Sequence, residues 1–234
     1  MITKTKIMMA PRKLKIARKS RFWAVNSLPG SHKKDSSIPL LIALRDYLKL
    51  GDKEREITRI LTNSLVMVDG KVVKERRRGI GFMDTLTVSG NDYLVSYDRK
   101  GKLVILPKPG ETKGLKLLRV KGKTYVKGGR IQISFHDGST MVTDRKDIKN
   151  GDSVLVKIPK KEIVDVLKFA PGNRVFITGG SHVGEIATIK SIEIKSSSGE
   201  NMVHMNEGFS TVSSYVFVMG SPKYTFSMPE AIAE

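Results

Sequence analysis

The residues with the widest chemical repertoire are scattered along this chain. Gly122-Lys123-Thr124 ends like a phosphate-cradling loop. That motif needs a glycine five positions earlier, and Leu117 stands there. The four histidines, His32, His136, His182 and His204, lie far apart with no clustered acids beside them, so a zinc site is not expected. Cysteine is absent, which removes disulfides, thiolate nucleophiles and Cys-bound metals. His136-Asp137 with Ser139 superficially matches a hydrolase set, but no nucleophile-elbow sequence surrounds Ser139. The expectation is a chain with no catalytic residue, no metal and no cofactor.

What remains is charge. The 234 residues carry 42 Lys+Arg against 23 Asp+Glu, a net charge of +19. Such a chain repels itself, and a polyanion relieves the repulsion. The cations are clustered. Residues 1–34 hold ten basic side chains and no acid. Lys113 to Arg130 holds seven more, again with no acid. Lys74, Arg76, Arg77 and Arg78 form a third group around Glu75. From Gly172 onward there are four basic and six acidic residues, so that region is no electrostatic anchor. One run alone would read as a solvated face; three favour nucleic acid.

A membrane surface fits less well, because it needs a basic helix with a bulky apolar face. Ile7-Met8-Met9 runs into Pro11, and Pro29-Gly30 interrupts the other end of the basic segment. No apolar run approaches the roughly 18–20 residues that span a bilayer, and no apolar stretch follows the basic start. A soluble intracellular protein is expected.

The elements that must position these cations follow from periodicity. Residues 1–36 read as an extended basic arm, with no core of its own, that folds by wrapping a partner. Phe22 and Trp23 either pin this arm to a neighbouring domain or stack on an unpaired base. Ser37 reads as a helix cap, with Pro39 in the first turn and Leu40, Leu41, Leu44, Tyr47 and Leu48 as the buried stripe. Asp52 is placed to cap a second helix that buries Ile57, Ile60 and Leu61. Arg45 with Lys49, and Arg55 with Arg59, sit one turn apart and face outward. Val66–Val68, Asp69-Gly70 and Lys71–Val73 read as a hairpin, and Phe82–Val88 as a returning strand. Residues 92–169 show no convincing helix. Tyr93–Tyr97 and Lys102–Leu106 flank a turn, and alternating Ile131, Ile133 and Phe135, then Val154–Ile158 and Ile163–Phe169, suggest a small barrel. A further β unit runs from Pro171 to Gly220 around Thr178–Gly184, and a tail follows. The expected fold class is α+β and multidomain: basic arm 1–36, two helices on a small sheet over 37–90, a central β-barrel-like domain over 91–170, a β domain over 171–220 and a tail over 221–234.

The helix pair with Val66–Val73 resembles the alpha-L RNA-binding module. Gly172–Gly180, with Gly184 and Ile189, resembles a KOW motif of the SH3-like β class. Both modules sit behind an arm bearing Phe22-Trp23 and Pro29–Lys34. With Pro39–Arg45, Gly81–Asp84 and Tyr97–Gly101, they resemble the archaeal/eukaryotic-type ribosomal small-subunit protein four, e-type, family over roughly residues 10–220. The residues before Ala10 fall outside the pattern, which leaves a start at a later methionine open. Ala187 replaces a second glycine common in KOW units.

The resemblance implies a structural constituent of the cytoplasmic small ribosomal subunit. Its partners would be small-subunit ribosomal RNA and neighbouring small-subunit ribosomal proteins. It implies no membrane, no small-molecule substrate and no homo-oligomer. The alternatives are a free RNA-modifying enzyme or a KOW-type transcription or translation factor. The expected RNA contacts begin in the arm with Arg12, Lys13, Lys15, Arg18, Lys19, Arg21, Trp23, His32, Lys33 and Lys34. In the helix-and-hairpin module they are Arg45, Lys49, Arg55, Arg59, Lys71, Lys74, Arg76, Arg77 and Arg78. In the central segment they are Lys113, Lys116, Arg119, Lys121, Lys123, Lys127 and Arg130. In the KOW unit they are Arg174, Gly180, His182 and Gly184. Glycines in that loop would either let backbone approach RNA or shape a tight turn.

Overall fold

A computed structural model describes residues 3–126, 128–196, 198–221 and 225–228. Lys127 and most of the expected tail lie outside the described residues. The chain divides into two compact units. The first runs to Asp98 and resumes over Lys102–Gly114; the second holds Arg99–Gly101 and Leu115–Met228.

The basic arm is not a free strap. β1 (Lys4–Lys6) pairs antiparallel with β2 (Trp23–Val25). Ile7, Ala10, Leu14 and Ala24 are buried. Leu14 bridges Leu103 in parallel, and the Leu28 N–H donates to the Arg77 carbonyl at 2.8 Å. The expected partner-dependent arm is thus corrected. Its few apolar residues are spaced to seat it on the rest of the first unit, while most of its cations, Lys13 and Arg18 excepted, are exposed.

Ser37 does not cap a helix. It opens β3 (Ser37–Pro39), which pairs with β6 (Gly79–Gly81), and its hydroxyl donates to the Ser27 hydroxyl at 2.9 Å. Pro39 holds extended backbone, so the helix starts one residue later. α1 (Leu40–Ile42) widens into a π-helical turn over Ala43–Tyr47, closed by the Leu48 N–H on the Ala43 carbonyl. Leu40, Leu41 and Leu44 are buried as expected, Ile42 is buried beside them, and Tyr47 and Leu48 of the expected stripe are only half-buried.

α2 (Glu54–Thr62) is flanked by Lys53 rather than capped by Asp52. The Glu56 carboxylate accepts the N–H groups of Asp52 (2.9 Å) and Lys53 (3.2 Å), satisfying donors that a helix start leaves open. Those two N–H groups hold the Glu56 carboxyl below its usual range. Ile57 and Leu61 are fully buried, each worth about 1.5–3 kcal/mol.

The hairpin β4 (Val66–Val68) and β5 (Lys71–Val72) turns on Asp69 and Gly70 at φ 51° and 72°. β7 (Thr85–Val88), β8 (Asn91–Tyr97) and β9 (Leu103–Pro107) complete a sheet ordered β5-β4-β7-β8-β9. Phe82–Val88 is therefore not one strand: Met83 at φ 67° separates β6 from β7. The hairpin of Tyr93–Leu106, expected in the central domain, belongs to the first unit, because Thr85–Val88 supplies its partner edge.

In the second unit, β10 (Leu115–Tyr125) spans most of the segment whose strands the sequence left open. Its first half pairs with β13 (Ser153–Lys157) and its second with β11 (Ile131–Phe135), with a register shift at Val120/Gly122. β12 (Thr140–Thr143) and β14 (Glu162–Leu167) complete the order β12-β11-β10-β13-β14. Among the described residues no ladder joins β12 to β14, yet Met141 of β12 and Ile163 and Val166 of β14 pack against one core, so the strands wrap a single interior. Its core gathers Leu118, Val120, Ile131, Ile133, Phe135, Ile148, Val154 and Val156.

A further sheet holds β15 (Arg174–Ile177), β16 (Ile186–Glu193), β17 (Met202–Met205), β18 (Ser210–Val212) and β19 (Val216–Gly220), ordered β18-β17-β16-β15-β19. Local pattern carries no signal for β17, whose buried Val203 and Met205 alternate over only four residues. The start of the expected tail folds back: Thr225 bridges Gly220 and Phe226 is buried. Among the described residues no helix is long and apolar enough to cross a membrane.

The docked arm makes a stability prediction. Leu14→Ala removes a side chain that is 3 % exposed, and should cost about 2–5 kcal/mol in urea unfolding. An unchanged midpoint would mean that the arm is not seated in the isolated chain.

Candidate nucleic-acid interface

The outward face of α2 follows from its buried face. With Ile57 and Leu61 inward, Arg55 and Arg59 lie one turn apart and exposed. Thr58 between them ties its hydroxyl to the Glu54 carbonyl at 2.8 Å. Arg76 reaches in from the loop after β5 and pairs with the Glu54 carboxylate. Together these residues line an open groove of about 560 Å³. Three guanidiniums against one carboxylate leave the groove positive. Lys49, Lys71, Lys74 and Arg78 are exposed on the same unit.

Other expected contacts in this unit do different work. Arg45 grips Asp46 through two hydrogen bonds, 2.9 and 3.0 Å, and its side chain is only 12 % exposed. It is not the outward cation that helical spacing suggested, because the π-helical turn rotates it onto the neighbouring carboxylate. Arg77 points Nε at the Asn26 carbonyl, 3.3 Å away. His32 is buried: its Nε2 lies 2.9 Å from Asp84 Oδ2, and Asp84 also accepts the Gly81 N–H at 2.9 Å. A Cβ on Gly81 would stand 2.4 Å from the His32 ring. His32 therefore locks the chain onto β6 and does not face a partner.

In the arm, Arg18 donates to the carbonyls of Met8 (3.3 Å), Ala10 (2.9 Å) and Pro11 (2.9 Å), so it ties the arm to itself. Lys13 sits over the Tyr97 ring, 4.9 Å from its centroid. The Lys15 N–H donates to Tyr47 Oη at 2.8 Å. Burial pushes the Tyr47 phenol up to about 12, with nearby Asp46 adding to the rise and the Lys15 N–H opposing it. Arg12, Lys15, Lys19, Lys33 and Lys34 are exposed, as is Arg21, which also reaches Asp46 at 3.6 Å. Trp23 is exposed beside Phe22.

The run from Lys113 to Arg130 divides in two. Lys113, Lys121 and Arg130 are exposed; Lys127 lies outside the described residues. Lys116 is buried against Asp137 at 3.5 Å. Arg119 donates to the carbonyls of Ser213 and Ser214, at the turn before β19. Burial lowers its pKa, with Glu200 opposing the shift, and a guanidinium stays charged regardless. Lys123 Nζ donates to the carbonyls of Lys146 and Ile148, both at 2.9 Å. Simple alternation does not separate them: Arg119, Lys121 and Lys123 share one parity along β10, but the register shift at Val120/Gly122 breaks the pattern, and carbonyls lie within reach of Arg119 and Lys123.

Around residues 174–184, Arg174 and Gly180 are exposed and Gly184 is half-buried. His182 stacks on Phe209 at 4.0 Å and pairs with Glu185 at 3.0 Å. Gly179 abuts Tyr215, which a Cβ would meet at 2.7 Å, and Gly180 takes φ 88°. These glycines shape a packed turn.

The hydrolase-like trio has structural partners. His136 Nδ1 accepts the Arg119 N–H at 3.2 Å and its ring edges Phe217 at 5.3 Å. Ser139 donates its hydroxyl and its N–H to Asp137 at 2.7 and 2.9 Å. Among the described residues no group of acids and histidines is placed to hold a metal. The expected contacts left out exposed Lys6, although it belongs to the basic run of residues 1–34 and the ladder sets it opposite Trp23, and Tyr125, 76 % exposed near the end of β10. The register of β1 on β2 carries the signal for the first; no local pattern carries one for the second, since Thr124 and Tyr125 are both exposed.

Comparison with known proteins gives concordant matches. Residues 89–163 match the model of ribosomal family S4e. The small ribosomal subunit protein eS4 of Thermoplasma volcanium is 54% identical over 229 residues, covering 98% of this chain and 97% of the relative. That of Thermoplasma acidophilum is 47% identical, covering 99% of each. A crystal structure of the 30S ribosomal protein S4e from Thermoplasma acidophilum superposes with a TM-score of 0.74, covering 83% of this chain and 100% of that one.

The buried Lys116–Asp137 pair predicts an acid-sensitive element. Burial alone would raise the Asp137 carboxyl, but Lys116 and the two Ser139 hydrogen bonds outweigh it and hold the carboxyl below its usual value. A carboxyl lowered on folding stabilises fully above its unfolded pKa, about 3.9, and loses that contribution as pH falls through the folded value. Asp137→Asn should lower unfolding free energy at neutral pH and flatten its decline in acid. A variant that keeps the wild-type acid profile would show that this pair does not contribute.

Proposed function

The chain belongs to ribosomal family S4e, and on that premise we propose how it is held in place: by exposed cations of both units on small-subunit ribosomal RNA. It is a structural constituent of the small ribosomal subunit, and its place is the cytoplasmic ribosome. It is not an enzyme. Family membership over nearly the whole chain also sets aside the free RNA-modifying enzyme and the transcription or translation factor.

The observation that carries the RNA-contact reading is the face of α2. Arg55 and Arg59 stand in water, Arg76 faces them, and the groove between is open and positive. Phosphate contacts of this kind set position and orientation rather than read sequence. The two short helices with the β4–β5 hairpin are read as an alpha-L-type module. The sheet over 174–220 is read as a KOW-type unit. The order helix, helix, hairpin supports the first, and the turn at Gly179-Gly180 between β15 and β16 supports the second.

The contacts are assigned to Arg12, Lys15, Lys19, Arg21, Lys33 and Lys34 in the arm, and to Lys49, Arg55, Arg59, Lys71, Lys74 and Arg78 beside the groove. Lys113, Lys121, Arg130 and Arg174 complete the set. Neighbouring small-subunit proteins are the other partners. The chain acts as a single copy, with no membrane and no small-molecule substrate.

Binding to small-subunit ribosomal RNA across a potassium chloride series tests this assignment. Arg55→Gln with Arg59→Gln should reduce the log–log salt slope by roughly 0.7–0.9 per lost phosphate contact. Lys123→Gln should leave the slope unchanged, because its ammonium is held by two carbonyls. A double variant with the wild-type slope would remove α2 from the interface.

A further inference from the structure

We infer that Phe22 and Trp23 form a stacking platform for an unpaired RNA base, with Lys6 and Arg21 placed for the adjoining phosphates. This deepens the ribosomal RNA-binding reading and rests on it. The sequence left open whether the two rings pin the arm. The geometry answers that they do not, since Phe22 is 62 % exposed and Trp23 53 %. The inward packing of the ribbon is done by Ala24 and Ile7, both buried.

The rings meet each other edge to face, centroids 4.9 Å apart at 78°. An edge-to-face pair covers at most one face of either ring. Lys6 Nζ lies over the Phe22 ring, 5.7 Å from its centroid. In the β1–β2 ladder Lys6 stands directly across from Trp23. The indole therefore keeps an open face with an ammonium beside it, and exposed Arg21 lies two residues away.

Charge selects the occupant. Residues 1–34 contain no acid, so an apolar partner carrying ordinary mixed charge gains little here. An unpaired nucleotide combines a flat π surface with a phosphate on either side, which is the chemistry of known single-strand stacking sites. The ribbon is held for the task. The Ile7 N–H donates to the Phe22 carbonyl at 2.9 Å, and the Arg18 clamp on Met8, Ala10 and Pro11 fixes the segment that follows.

Trp23 is the only tryptophan in the chain, so the fluorescence of the full-length protein, excited selectively at tryptophan rather than at its tyrosines, reports this platform. Titration with oligoadenylate should quench it strongly. Titration with heparin, which carries charge but no bases, should leave it nearly unchanged. In parallel, anisotropy of a labelled oligoadenylate reports binding itself. Trp23→Phe should keep affinity near wild type, while Trp23→Leu lowers it by about 5- to 150-fold. Binding without quenching, or equal quenching by heparin, overturns the platform and leaves the RNA-binding reading standing. No binding of either oligoadenylate or ribosomal RNA overturns both.

Discussion

The constraint that organises this molecule is an excess of cations that a folded chain cannot neutralise by itself. With 42 basic and 23 acidic side chains, each carboxylate must be placed where it does most. The buried ones act as clamps. Asp84 holds His32 and the Gly81 N–H. Asp137 holds Lys116 and Ser139. Asp152 accepts the N–H groups of Lys149 and Phe169, at 2.9 and 2.8 Å. Removing one partner of such a set leaves an uncompensated buried group, which costs more than the pair gains. Much of the remaining positive charge faces water, where self-repulsion makes a polyanion a stabilising partner.

The same constraint shapes the arm. An extended segment with ten cations and no acid would stay open on charge alone. It closes because Ile7, Ala10, Leu14 and Ala24 are buried in the first unit and because Arg18 satisfies three backbone carbonyls. On the proposed RNA-binding reading, the arm is organised before RNA arrives, and less ordering entropy is lost on binding.

How much of this was legible in the sequence depends on which force decides each element. The buried faces of the helices were legible, since Leu40, Leu41, Leu44, Ile57 and Leu61 repeat at helical spacing. The β4–β5 hairpin was legible from Asp69-Gly70, and β11 from the alternation of Ile131, Ile133 and Phe135. The helix start was not, because Pro39 extends the backbone and lets Ser37–Pro39 pair with a strand 42 positions further along the chain. Such a partner is invisible to local pattern. Counting cations along the chain picked out Arg55, Arg59, Lys33 and Lys121, which the structure leaves exposed. It also swept in Arg45, Lys116, Arg119 and Lys123, whose charges are held by carboxylates or carbonyls. Charge density is a linear property; exposure is set by which carboxylate or carbonyl lies nearby in space.

The division between inward and outward cations can be read directly by acetylating lysines in the isolated chain and in intact small subunits, then mapping the sites by mass spectrometry. Lys116 and Lys123 should be protected in both. Lys33, Lys34, Lys49, Lys71 and Lys121 should react readily in the isolated chain and become protected in the subunit. Equal reactivity of these five in both states, or free reaction of Lys116, would contradict the account.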